Sequence, residues 1–286
     1  MNSVKRAGVD KILFSFPQVE LKKCSKRVVE TLRTLHEEHV KVYQLYAASD
    51  SAFSEKNMVG EVLRFNEKCE QQFDGVAVNN EAFVKCCDDS CDDDQAVQFL
   101  RNMKETKRNA FPLPFHFSIS WHWGECSPDR PFKITLDGVT KSATEHMIDI
   151  VDSVDVQVAW SEASEMIRRA RVAGYSSFSS SSSSVVSSSS QFFVVLAYTN
   201  RVPNNDCRLT FFPYQEHCAV GESTQQGLFE TFDTIERELK HAQGGIHYYS
   251  DAYFSNLPGW PSSSPRTHHH HRDNDAASTM SSLTPL

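Results

Sequence analysis

Apolar positions along the chain change their period again and again. Residues 10–16 (DKILFSF), 40–46 (VKVYQLY), 73–78 (FDGVAV), 115–121 (FHFSISW), 154–160 (VDVQVAW), 192–198 (FFVVLAY) and 245–249 (GIHYY) are continuous or alternating apolar runs. That is the pattern of buried or half-buried strands. Between them the spacing lengthens to that of a helix. Leu21, Cys24, Val28, Leu32 and Leu35 mark one helix reaching Glu38. Val59, Val62, Leu63 and Cys69 mark a second, and Ala96, Val97, Leu100 and Met103 a third within 94–107. Ser142 and Glu145 stand at capping-box spacing ahead of Met147, Ile148 and Val151. Ser161 is placed to cap a helix over 161–173, with Gly174 where a C′ glycine belongs. Leu228, Phe232, Ile235 and Leu239 predict a long helix over 223–241.

Strict alternation of strand and helix predicts an α/β fold with a parallel sheet. The expected architecture is a (β/α)8 TIM barrel over residues 1–260, lacking its first strand in this chain. The chain opens almost directly on a strand, so the partner strand is expected upstream of Met1. A doubly wound sheet would show a glycine-rich phosphate turn after an early strand, and the sequence has none. Residues 176–190 are nearly all serine and read as a flexible insertion. Residues 261–286, with His268 to His271, read as a disordered low-complexity tail.

Composition narrows the function classes. Of 286 residues 40% are apolar and 19 are Phe, enough for a sizeable core. A net charge of −8 removes the basic excess of a general nucleic-acid binder. No apolar run reaches the ~18 residues of a membrane span. The start, MNSVKRAGVDKILFSF, lacks the apolar region of a signal peptide. As written the chain reads as intracellular; an upstream extension restoring the strand would make it secreted. Of the eight cysteines only Cys86, Cys87 and Cys91 cluster, without the second ligand pair of a zinc site. Free thiols and one or two disulfides remain alternatives. Asp88, Asp89, Asp92, Asp93 and Asp94 lack EF-hand spacing and read as a solvated loop. His36 and His39 read as surface histidines. No cofactor or metal is called for, and the oligomeric state is left open.

In a parallel barrel, chemistry gathers where strands end. In FDGVAVNNE, Gly75, Ala77, Asn79 and Glu81 share one face and bring a carboxylate to the rim, the minimum for a general acid. His116, Ser118, Ser120 and His122 share a face of the next strand, followed by Trp123 and Glu125. Later strands end at Trp160, at Tyr198 and at His247 and Tyr248. Aromatic residues around one mouth suit stacking on sugar rings.

The run FDGVAVNNE resembles the fourth-strand signature of the chitinase-like barrel glycosidases, D-G-x-D-x-D-x-E. Asp74, Gly75 and Glu81 match it, whereas Ala77 and Asn79 stand where the signature has aspartates. VDVQVAW and GGIHYY likewise resemble strands of a wider group of glycosidase-like TIM barrels, in an element order spanning about residues 9 to 255. The resemblance implies that Glu81 protonates a glycosidic oxygen. It also implies that the residue at position 79 orients an N-acetyl group acting as nucleophile in substrate-assisted cleavage. Asn79 lacks the charge that would stabilise the resulting oxazolinium ion. A two-carboxylate route would need a partner for Glu81, with Glu125 and Asp251 as candidates.

The expected function is therefore that of a glycoside-hydrolase-like protein acting on a polysaccharide or oligosaccharide. Glu81 and Asn79 would be its catalytic residues, with His122, Trp123, Trp160, Tyr198, His247 and Tyr248 lining the cleft. The alternatives are a carbohydrate-binding barrel whose catalysis has lapsed, and the inactive product of a truncated gene.

Overall fold

The computed structural model describes residues 9–48, 56–80, 93–127, 130–158, 160, 162–175, 193–198, 228–239 and 242–247. Seven parallel strands form one sheet in chain order. They are β1 (Lys11–Phe14), β2 (Lys41–Ala48), β3 (Gly75–Asn80), β4 (Phe115–Ser120), β9 (Ser153–Gln157), β10 (Phe193–Tyr198) and β11 (Ala242–His247). All seven overlap apolar runs of the sequence, β11 starting three residues before the run read at 245–249. The helices between them are α1 (Gln18–Lys22), α2 (Lys26–Glu37), α3 (Lys56–Lys68), α4 (Asp93–Ala110), α5 (Ala143–Ile150), α6 (Ala163–Ala170) and α7 (Leu228–Glu238).

The sheet is strongly curled. Lys11 on the first strand places its Nζ 3.5 Å from Ser153 Oγ on the fifth strand of the sheet order, a contact that a flat sheet could not make. The result is a half-barrel. The sequence reading expects seven units of a (β/α)8 barrel without its first strand; seven parallel strands are present, and no closed barrel is seen among the described residues, where β1 and β11 stand at the two ends of the hydrogen-bonded order. The serine-rich insertion and the histidine-containing tail lie outside the described residues.

Alternation decides what each face buries. Val76, Val78, Phe115, Phe117, Ile119, Val154 and Val156 point to the helical layer and are buried there. They meet Phe99, Leu100 and Met103 of α4, Val59, Val62 and Phe65 of α3, and Val28, Leu32 and Leu35 of α2 in one core. Each such side chain contributes about 1.5–3 kcal/mol on burial. The inner face is different in kind, because on β4 and β9 it carries the buried polar side chains His116, Ser118, Ser120, Ser153, Asp155 and Gln157.

Three local features depart from the sequence reading. The helix expected from Leu21 to Glu38 is two helices. Cys24 sits at φ +47° between them, and Ser25 restarts the chain by accepting a hydrogen bond from Val28 N at 3.4 Å. Cys24 is joined to Cys69 at the end of α3 by a disulfide, which resolves one pair among the cysteines. Residues 125–142 also hold two short hairpins, β5 (Glu125–Ser127) with β6 (Arg130–Pro131), and β7 (Lys133–Leu136) with β8 (Val139–Ser142). Asp137 and Gly138 both have positive φ, +53° and +81°, as a type I′ turn requires. An Asp-Gly pair between alternating residues was the available signal for this hairpin. The expected capping box of α5 is present: Ser142 Oγ accepts from Glu145 N, and Glu145 Oε2 accepts from Ser142 N.

Asp74 and Asp152 do one job at the N-terminal ends of strands. Asp74 Oδ2 accepts from Val42 N at 2.7 Å, and Asp152 Oδ2 from Phe115 N at 2.8 Å. Asp74 also meets His36 Nε2 at 3.0 Å, so His36 is half-buried and engaged, not a bare surface histidine. Asp74 thus serves the floor of the sheet, away from the strand ends where chemistry was expected.

Two expected outcomes follow from the packing. A Cβ on Gly75 would lie 2.5 Å from the Tyr43 ring, so Gly75→Ala should destabilise by about 1–3 kcal/mol in urea unfolding. Tyr43→Ala should remove most of that increment in a double-mutant cycle. The disulfide closes a loop of 45 residues, so Cys24→Ser with Cys69→Ser should lower stability by up to roughly 4 kcal/mol. Equal stability of the oxidised and double-serine proteins would refute the second.

Candidate functional site

The inner face is built row by row from strand register. Ala77, His116 and Ser153 form a lower row, and Asn79, Ser118 and Asp155 the row above it. Ser120 and Gln157 pair one step nearer the C-terminal ends. Alternation puts small or polar residues at all these positions, because large apolar ones would not fit a narrow curled interior.

The lower part is a closed polar network. His116 Nδ1 lies 2.7 Å from Ser153 Oγ, and His116 Nε2 lies 2.7 Å from Asp155 Oδ2. Ser118 Oγ donates to the same Asp155 oxygen at 2.7 Å. A carboxylate only accepts, so Nε2 carries the imidazole proton and Nδ1 accepts from the Ser153 hydroxyl. His116 and Asp155 are 1% and 2% exposed. Burial pushes the His116 pKa below the ordinary histidine value, against the opposing hydrogen bond and charge of Asp155. Tyr43 packs edge-on to His116 at 6.4 Å between ring centres, and burial lifts its hydroxyl to a pKa of about 12. Lys11, placed over the Tyr43 ring, is pushed below the usual lysine value by burial, which outweighs the opposing charge of Asp155.

The upper part is neutral. Gln157 Nε2 donates to Asn79 Oδ1 at 2.8 Å, crossing over β4. Asn79 is half-buried and Gln157 is buried. Sequence reasoning placed Asn79 on this face but missed Gln157, Asp155 and the His116 network. The signal was polar residues at every second position of VDVQVAW and FHFSIS.

The aromatic residues do not gather as expected. After Ser120 the chain leaves strand geometry for a 3-10 turn, Trp121–Trp123. Strand alternation therefore cannot be extrapolated to His122 and Trp123. Trp123 is only 2% exposed and packs 5.2 Å from Phe99 and 6.4 Å from Phe132, in the core and not at a cleft. This corrects the expectation that it lines a ligand site. His122 is half-buried with its ring 3.9 Å from that of Trp121. Trp160 is half-buried under a guanidinium: Arg169 Cζ stands 4.2 Å from its ring centre and 4.6 Å from that of Trp121. Arg169 also bonds Val158 O at 2.5 Å and Glu165 at 2.8 Å. Hydrogen bonds from Arg168 and Arg169 hold the Glu165 carboxyl down at about 2. This clamp ties the segments after β4 and β9 to α6. Tyr198 and His247 are register partners at the ends of β10 and β11. Glu81 and Tyr248 lie outside the described residues, as does Asp251.

Among the described residues no group of three or more His, Cys, Asp or Glu side chains is placed to hold a metal ion. No helix among them is long and apolar enough to cross a membrane.

No family model matches the chain. No curated protein matches it. Among solved structures, the xylanase and alpha-amylase inhibitor protein XAIP-II from Scadoxus multiflorus is similar at a TM-score of 0.40 and 12% identity, over 80% of this chain and 76% of that one.

The network sets a pH response. Folded His116 resists a proton that the unfolded chain accepts below about 6.5, so stability should fall as pH drops through that value. His146, also held low by burial, adds to the same window. The contribution of Glu165 is lost lower, as pH falls from about 4.5 towards 2. His116→Gln should flatten the slope of melting temperature against pH just below 6.5. An unchanged slope would show that His116 is not the group responsible.

Proposed function

We propose that the chain is a carbohydrate-binding half-barrel of the glycosidase type in which hydrolysis has lapsed. The ligand would sit at the C-terminal ends of β3, β4 and β9. The observation that carries this reading is the amide pair Asn79–Gln157 on the inner face. Neutral donors and acceptors of this kind suit sugar hydroxyls. The same pair leaves position 79 without the charge that a substrate-assisted mechanism needs, and a lost charge at such a position removes several kcal/mol of transition-state stabilisation. His122, Trp160, Tyr198, His247 and Tyr248 remain the candidates for the rim. Trp123 is withdrawn because the core encloses it.

A second reading keeps catalysis. Glu81 directly follows β3 at the position of the proton donor in the signature. In that reading Glu81 is the general acid of a glycosidase, with its carboxylate partner supplied from another strand end.

One experiment separates the two. Calorimetric binding and hydrolysis are measured on a panel of oligosaccharides, for the wild type, Asn79→Ala and Glu81→Gln. The binding reading expects affinity without turnover, weakened about tenfold by Asn79→Ala, the cost of about one hydrogen bond. Turnover that Glu81→Gln abolishes would establish the glycosidase instead. A folded protein with neither binding nor turnover would defeat both.

A further inference from the structure

Helix α1 is a five-residue element, too short to be stable without tertiary contacts. It packs on α3, and its apolar anchor there is Leu21, which is 2% exposed. Two other features of this seat work against it. Lys22 of α1 reaches Glu61 Oε1 of α3 at 3.3 Å, and the Glu61 side chain is 6% exposed. Glu61 Oε2 is buried without a hydrogen-bond partner among the described residues. The Lys22 side chain is itself 62% exposed, so a buried carboxylate is answered at one oxygen by a largely hydrated ammonium. That is a poorly compensated burial.

The second feature is the exit from α1. Ser25 N donates to Glu20 O at 3.0 Å and Cys24 N to Leu21 O at 3.2 Å, the two bonds of a Schellman end. Glycine is the usual residue at its left-handed position, but here Cys24 holds it at φ +47°, a conformation that a Cβ disfavours. Against both features stands one covalent bond, from Cys24 to Cys69 just beyond α3. Both cysteines are half-buried, so a reductant can reach them.

We propose that the Cys24–Cys69 disulfide is a redox latch that holds α1 down beside Glu61, and that its reduction lets α1 lift from α3 and water reach the Glu61 carboxylate. The reductant is a dithiol. One of its thiolates displaces a cysteine sulfur to form a mixed disulfide, and its second thiol closes on the first. The dithiol leaves as its own disulfide, having supplied two electrons, and Cys24 and Cys69 remain as thiols. Helix α2 stays in place, because Val28, Leu32 and Leu35 are core residues and Ser25 caps it separately. The latch does not depend on the carbohydrate reading.

Hydrogen exchange of the intact chain, oxidised and in excess dithiothreitol, tests this. The amides of Leu21, Cys24 and Ser25 report on α1, since they bond to the carbonyls of Pro17, Leu21 and Glu20. Reduction should speed their exchange at least about tenfold, while those of Leu32 and Leu35 keep their rates. Cys69→Ala should open α1 without any reductant, which separates this bond from the other cysteines. In the reduced protein Glu61→Leu should slow the three reporter amides about tenfold, because an apolar side chain replaces a half-answered charge. Lys22→Met should speed them. Unchanged exchange at α1 on reduction overturns the latch. Faster exchange through α2 and β2 as well also overturns it, because the bond would then staple the whole domain. Opening of α1 that Glu61→Leu leaves as fast as before overturns the part assigned to Glu61. If a variant fails to fold, the wild type with and without dithiothreitol decides.

Discussion

A carboxylate in the interior of a curled sheet must be solvated by the protein, and much of the inner face is arranged around that need. Asp155 is buried on β9 and held by His116 and Ser118 of the neighbouring strand. His116 is in turn fixed by Ser153, and Ser153 meets Lys11 from the far side of the curl. Water is excluded, so these bonds are strong and their loss is costly. The network sets the rotamers of four side chains on two adjacent strands. It also joins the edge strand β1 to the middle of the sheet.

That constraint divides the molecule into two environments. Outward-facing residues of the same strands are Val, Ile and Phe, and they pack on helices without polar demands. Inward-facing residues of β4 and β9 are small or polar, and on β3 Gly75 leaves the space that the Tyr43 ring occupies. Carboxylates at the strand starts, Asp74 and Asp152, meet backbone N–H groups that would otherwise lie unpaired. Above the sheet, Arg169 between Trp121 and Trp160 pins the segments that leave β4 and β9. A guanidinium between two rings is a rigid element, so the rim on that side is held by packing.

The functional reading follows from where charge is and is not. It is concentrated in the interior, at Asp155, whereas the half-buried member of the same row, Asn79, and its partner Gln157 are neutral amides. A surface of amides and hydroxyls recognises neutral polar ligands.

Much of this architecture was legible in the sequence. FFVVLAY specifies a strand because apolar side chains on both faces need cover on both, and VDVQVAW because apolar and polar residues alternate with a period of two. The spacing of Ser142 and Glu145 specifies a helix start because the two side chains satisfy each other's backbone donors. The inward placement of Asn79 followed from a period of two. Trp123 was misplaced because the chain turns into a 3-10 helix at Trp121, and a period of two ends with the strand. The break at Cys24 depended on a partner 45 residues away. The sequence by itself determined the order of strands and helices and which positions would be apolar, since both depend on neighbours a few residues apart. Only the tertiary structure decided that Lys11 reaches Ser153, that Gln157 reaches Asn79 and that, among the described residues, one oxygen of Asp155 has no donor. Those pairings arise from the curl of the sheet, which brings together side chains that no local pattern connects.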